Sequence, residues 1–343
     1  MQRRQWLHFS SAAALTAMGM HLPIARAQGT TLDKCVVAGW SKPITEITNL
    51  LVEEQKGFFK QRGIALGYVP GAGGGDALRN LLSGQADVAF TDPGSLFAAL
   101  DKGEKLRVIY DIYPQNVFNV VSLKSQNILK PADLKGKRIG VYSLASGTRQ
   151  NLQVLLHQAG LTEADVTVVV TGLLNFAPLM QGQVDATAAT DTGLLVGRQK
   201  GLGGVNVMEV KNHLNISSDL FVVREDTYQQ KKDVLKRFLR AYQDSAQWMM
   251  QSPEEAAKLA VKYAIDGQNA SMNLDIIRLR NDSSVSAITD KRGLGAFDMA
   301  GLQKGAKAYK AFGVIQRDIK ISDVVSQDLL PTAASNIKTS TKK

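Results

Sequence analysis

The chain has 343 residues, 44% hydrophobic and 21% charged, with 30 glycines, 9 prolines and a single cysteine. That composition excludes collagen-like, coiled-coil and wholly disordered classes, and one cysteine excludes an internal disulfide or a zinc site built on cysteines. The formal charge of +10 lies partly at the two ends of the chain.

Residues 1–27 read as a cleavable leader. Arg3-Arg4 precede Trp6-Leu7, an uncharged stretch runs from Phe9 to Met20, and Ala25-Arg26-Ala27 offers small residues for cleavage after Ala27. The arginine pair resembles a twin-arginine leader, and a general secretory leader fits the same residues. Leu32-Asp33-Lys34 before Cys35 is too polar for a lipoprotein cleavage box, so the expectation is a soluble protein exported to the periplasm. Removing Arg3, Arg4 and Arg26 leaves 38 basic against 31 acidic residues. The tail 332–343, with Lys338, Lys342 and Lys343, reads as disordered, and without it the excess is +4. That excess is too small and scattered to argue for nucleic acid. No later segment reaches the roughly 18 apolar residues of a membrane span.

Short β-rich runs then alternate with helical patterns. Cys35–Ala38 is a strand, with Cys35 expected to be buried in it, and Ile44–Lys60 has helical spacing up to Gly63. Ile64–Val69 is a strand, Gly71–Gly75 a loop, Ala77–Leu82 a helix, and Val88–Phe90 a strand. Asp92-Pro93 opens a helix, aspartate as cap and proline at the first helical position, and Leu106–Ile112 is the next strand. The rhythm repeats with strands at Arg138–Val141, Val166–Val170, Asp185–Ala189 and Val205–Val210. The helices between them are Gly147–Gln158, Phe176–Met180 and Leu194–Lys200. From Asp226 the chain is mostly helical, at about 231–250, 254–264, 269–280 and 298–312. Alternation of this kind implies an α/β fold with largely parallel sheets covered by helices.

An internal echo divides the chain. Leu81-Leu82-Ser83-Gly84-Gln85-Ala86-Asp87 matches Leu179-Met180-Gln181-Gly182-Gln183-Val184-Asp185, and both strands that follow end in Thr-Asp, at Thr91-Asp92 and Thr190-Asp191. Two α/β lobes built on one plan explain it. Ligands of open α/β sheets lie beyond the carboxyl ends of the strands. Facing lobes would therefore form a cleft from Gly39–Lys42, Gly71–Gly75, Thr91-Asp92, Tyr142–Thr148, Thr171–Phe176 and Thr190-Asp191.

Within that lining, Gly73 and Gly74 lack the sequence context of a phosphate loop but offer backbone amides. Ser143, Ser146, Gly147 and Thr148 place small residues at a helix start, and Trp40, Tyr142 and Phe176 offer aromatic faces. Ser41 and Thr91 flank the strand ends. Asp92 and Asp191 carry the most information about the ligand: two carboxylates facing it would repel a simple anion and accept from amino or ring N–H groups. Lys42 would offset them if it faced the same way. His157 and His213 lie apart, without metal-ligand spacing.

Val52-Glu53-Glu54-Gln55-Lys56-Gly57-Phe58-Phe59-Lys60-Gln61-Arg62-Gly63-Ile64, Leu82-Ser83-Gly84-Gln85-Ala86-Asp87 and Leu134-Lys135-Gly136-Lys137-Arg138-Ile139-Gly140 together resemble periplasmic solute-binding proteins of ABC importers. The branch is the one that serves nitrate, alkanesulfonates, taurine and thiamine pyrimidine precursors. The resemblance implies a type II-like two-lobe fold hinged by two crossing strands, near Asn116–Ser122 and Asp219–Arg224. Lobe 1 would span 28–115 and 223–331, and lobe 2 116–222. It implies a monomer without cofactor, metal or catalysis, delivering a small polar organic solute to an inner-membrane ABC permease. Aromatic or heterocyclic solutes lead, with sulfonate or taurine next. Two other readings remain: a carboxylate-binding protein of the tripartite tricarboxylate type, which also has Gly-Gly-Gly-Asp loops, and a thiamine-pyrimidine-forming enzyme on the same fold.

Overall fold

The computed structural model describes residues 31–174 and 176–331; the expected leader and tail lie outside the described residues. The apolar runs form ten strands: β1 (Asp33–Ala38), β2 (Ile64–Val69), β3 (Val88–Thr91), β4 (Leu106–Tyr113), β5 (Phe118–Leu123), β6 (Arg138–Val141), β7 (Thr167–Val170), β8 (Ala186–Thr190), β9 (Val205–Glu209) and β10 (Asp219–Arg224). They pair into two five-stranded sheets, ordered β2-β1-β3-β10-β4 and β7-β6-β8-β5-β9. In each sheet the first three strands are parallel and the fourth runs antiparallel to its neighbours.

The two orders superimpose strand for strand once the crossing strands are exchanged. β5, although it follows β4 in sequence, belongs to the second sheet, and β10 returns to the first. Leu220 of β10 lies opposite Thr91, and Phe118 of β5 opposite Thr190. All of β10 pairs in the first sheet, so the return crossing ends before Asp219, ahead of the boundary at 222 expected from the sequence.

The seven-residue echo has a physical cause. Gly84 and Gly182 turn the chain at φ 78° and 70°, a left-handed conformation that glycine adopts without steric cost. The Asp87 carboxylate then accepts from Val36 N at 2.9 Å, and the Asp185 carboxylate from Arg138 N at 2.8 Å. Each aspartate thus fastens the end of one strand to the strand beside it, once per lobe.

The helices follow the sequence expectations closely except at 44–60. There the chain makes short turns, Thr45–Ile47, Thr48–Leu51, Glu53–Lys56 and Lys60–Arg62. Gly57 takes φ 66°, and Glu53 accepts from the amides of Phe59 and Lys60 beyond the turn, which ends the helix early. Cys35 is buried in β1, and burial pushes its thiol up to about 12, which keeps it protonated and inert. The long helix Lys232–Gln251 packs its apolar face, including Leu235, Phe238, Leu239 and Tyr242, on the first sheet around Phe221. The helix Met299–Ala311 packs beside Pro93–Asp101. Among the described residues no helix is long and apolar enough to cross a membrane.

Candidate functional site

The carboxyl ends of β1, β3, β6 and β8 face one another across the seam between the sheets and line a partly open cavity of about 170 Å³. β5 and β10 run antiparallel, so their amino ends reach the same level and add Val117, Phe118 and Asp219 to the wall. Of the residues singled out from sequence, Trp40, Gly73, Gly74, Asp92, Tyr142, Ser146, Gly147 and Thr148 line the cavity. Trp40 stands edge-on to Phe90, with ring centroids 6.2 Å apart, and its buried Nε1–H has no partner among the described residues.

Five expected residues do other work. Ser41 is buried, its hydroxyl donating to Lys42 O at 2.8 Å. The Thr91 hydroxyl donates to Gly74 O at 2.9 Å beneath the glycine loop. Phe176 is buried in the small core of the second lobe with Val121, Leu179 and Val184. Ser143 donates to Ala72 O in the opposite lobe, and Gly75 N donates to Ala145 O at 2.9 Å. The two loops that sequence alone placed on either side of a ligand therefore hold each other at one edge of the cavity. Asp191 is not among the residues that line the cavity and accepts from Arg280, which is, at 3.0 Å.

Small residues are required in these loops by close approach. A Cβ on Gly73, whose φ is +129°, would fall 2.3 Å from Ala145 O. One on Gly147 would fall 2.6 Å from the Phe118 ring. The hydroxyls of Ser146 and Thr148 lie 2.7 Å apart, and Thr148 accepts from Tyr142 N at 3.0 Å, so the second-lobe loop is fixed from within.

Asp92 caps its helix as the sequence predicts, accepting from Ser95 N at 2.8 Å and from Ser95 Oγ at 2.7 Å. Burial raises its carboxyl, partly opposed by those hydrogen bonds. Five charged lining residues had not been singled out: Glu46, Lys200, Asp219, Asp266 and Arg280. Arg280 is 1% exposed and lies 2.8 Å from Glu46 Oε2 and over the Tyr113 ring at 4.8 Å. Burial raises the Glu46 carboxyl, opposed by Arg280 and by the Thr192 hydroxyl, which donates to Oε1 at 2.5 Å. Asp219 was legible once the family resemblance placed a crossing strand at Asp219–Arg224, because the first residue of such a strand must lie level with the carboxyl ends of the parallel strands. For Arg280, one arginine among several on a C-terminal helix, the sequence carries no comparable signal.

Residues 44–256 match the NMT1/THI5 like family over more than half of the chain. The chain belongs to that family. Among relatives, the riboflavin-binding protein RibY of Chloroflexus aurantiacus is 22% identical over 325 residues, 93% of this chain and 91% of that protein. A 4-amino-5-hydroxymethyl-2-methylpyrimidine phosphate synthase of Legionella pneumophila is 25% identical over 224 residues, 62% of this chain and 68% of that one. In structure, the alkanesulfonate-binding protein SsuA of Xanthomonas axonopodis pv. citri, solved with MOPS bound, is similar with a TM-score of 0.66 at 16% identity, covering 86% of this chain and 98% of that one. The fold is that of periplasmic binding proteins, and the relatives of this chain include both a named binding protein and a named synthase.

Proposed function

We propose that the chain is the extracytoplasmic solute-binding component of an ABC importer, and that its solute is a small, single-ring polar compound. The observation that carries the reading is the cavity itself: set between two lobes at their strand ends, walled by Trp40, Phe118 and Tyr142, and about 170 Å³ in volume. An apolar cavity of about 150 Å³ in another protein accepts benzene, so one ring with small substituents is the scale of ligand that fits. A flavin, which the named relative RibY binds, has three fused rings and a ribityl chain and exceeds it. Cavity composition speaks against sulfonates and carboxylates, because Glu46, Asp92, Asp219 and Asp266 outnumber Arg280 and Lys200 on its wall. Closure of the lobes adds contacts made only in the closed state, which selects the solute and presents a distinct shape to a permease.

The test is a thermal-shift screen of the mature chain with single-ring amines and heterocycles, sulfonates, carboxylates and flavins. A solute present at 100 times its Kd should add about 2.7 kcal/mol of stability. It should be recovered unchanged by mass spectrometry. Chemical conversion of a bound solute by the purified chain would instead support the synthase reading that the Legionella relative suggests.

A further inference from the structure

We propose that Asp219 is the ligand-anchoring residue of the cavity and that it selects solutes presenting a cationic or amidine-like N–H group. The inference rests on the solute-binding reading and names its chemical class.

Each other acid on the cavity wall is already engaged. Asp92 accepts two hydrogen bonds from Ser95, and Asp266 accepts from Thr45 N and Thr45 Oγ1, both at 2.8 Å. Glu46 faces Arg280 and accepts from Thr192. Asp219 lines the same cavity, is 7% exposed, and has no hydrogen-bond or ion-pair partner among the described residues. Its place at the start of β10 is fixed from both sides, by pairing with Tyr113 of β4 and by Leu220 lying opposite Thr91. A carboxylate held in that position without a partner is costly, and a cationic N–H donor from the solute would remove the cost. Burial, with Asp92, Glu46 and Asp111 nearby, pushes the Asp219 carboxyl well above the usual range, although Arg280 opposes the rise from beyond ion-pair distance. A cation arriving there would therefore release a proton, and its affinity would rise with pH. An anion would meet Asp219 and Asp92 together.

The experiment measures binding of three same-sized probes, benzamidine, benzamide and benzenesulfonate, by calorimetry. The proteins are the wild-type mature chain, Asp219→Asn and Asp219→Glu. The expected order for wild type is benzamidine tightest, with measurable proton release in buffers of different ionisation enthalpy. Asp219→Asn should weaken benzamidine at least tenfold and leave benzamide within about threefold. That unchanged benzamide affinity also shows the variant to be folded, and Asp219→Glu should keep part of the preference. Tighter binding of benzenesulfonate or benzamide than of benzamidine by wild type, or a benzamidine affinity that Asp219→Asn leaves unchanged, overturns the assignment while a ring-sized site stands. Absence of binding by all three probes overturns the ring-sized reading together with it.

Discussion

The Arg280 guanidinium reaches Asp191 Oδ1 at 3.0 Å and thereby ties a helix packed on the first lobe, Ala270–Ser283, to the first residue of a helix in the second, Asp191–Gln199. The same Nη2 donates to Thr192 Oγ1 at 2.9 Å and faces Glu46, a first-lobe residue. When the lobes part, Glu46 stays with Arg280 while Asp191 and Thr192 leave, so the second-lobe bonds favour only the closed arrangement. Asp191→Ala should weaken closure by about 1–2 kcal/mol, the range of one charge-assisted hydrogen bond whose cation keeps another partner. Small-angle scattering should then give a larger radius of gyration than wild type. Superimposable scattering curves for the two proteins would show that the pair does not govern closure.

Burial of Asp111 should give stability an unusual pH dependence. It is 1% exposed, and burial pushes it up to about 8 although Ser217 donates to it at 2.6 Å; Asp298 adds to the rise. Below about pH 4 the carboxyl is protonated in folded and unfolded chains alike. Between there and about 8 the unfolded chain loses the proton and the folded one keeps it, so stability falls as pH rises, by at most about 1.4 kcal/mol per unit. Asp111→Asn keeps an acceptor for Ser217 and removes this slope. Urea unfolding at pH 5 and pH 8 should show the variant gaining on wild type by on the order of 3 kcal/mol across that interval. Parallel pH profiles for the two proteins would contradict the protonated assignment.

Eight of the ten strands and both Thr-Asp strand ends were legible in the sequence because they follow from local patterns: valine-rich runs, the glycine turns at Gly84 and Gly182, and the Asp92-Pro93 helix start; β5 and β10 came only from the family resemblance. The lining loops were legible because strand polarity dictates where they gather. Partners across the seam were not. Asp191 and Asp92 stand at equivalent points of the echo, yet Asp92 caps its helix through Ser95 while Asp191 meets Arg280, which lies 89 residues away in sequence. No local pattern carries that pairing. Ser143 was read as a ligand contact for the same reason: nothing in its loop shows that Ala72 occupies its hydroxyl.

The approach of Gly73 to Ala145 makes a further expectation. Gly73→Ala would place a methyl 2.3 Å from Ala145 O at a φ of +129°, which L-residues rarely adopt. Local strain of about 1–3 kcal/mol follows, and the clash exists only while the lobes touch. Affinity for the solute identified by the screen should fall about tenfold or more, with scattering that shows the lobes held apart. An affinity within twofold of wild type would mean that the loop yields at little cost.

The paired aspartates of the echo predict loss of stability without loss of binding. Asp185 accepts from Arg138 N at 2.8 Å and pairs with the same residue's guanidinium at 2.8 Å, and that partner holds its carboxyl below the usual range. Its contribution is therefore present above the ordinary aspartate value and fades as pH falls through the lowered one. The ion pair is partly exposed and adds little, so the backbone bond carries most of the effect. Asp185→Ala should lower the unfolding free energy by about 2 kcal/mol, the value of a hydrogen bond to a charged acceptor. Asp87→Ala, which also loses the Lys231 pair at 2.8 Å, should cost a similar amount in the first lobe. Neither residue lines the cavity, so solute affinity in the folded protein should stay within about twofold for both. Urea unfolding with parallel calorimetric titration separates the two effects: a variant with wild-type stability and lost binding would show that the echo serves the ligand instead of the strands.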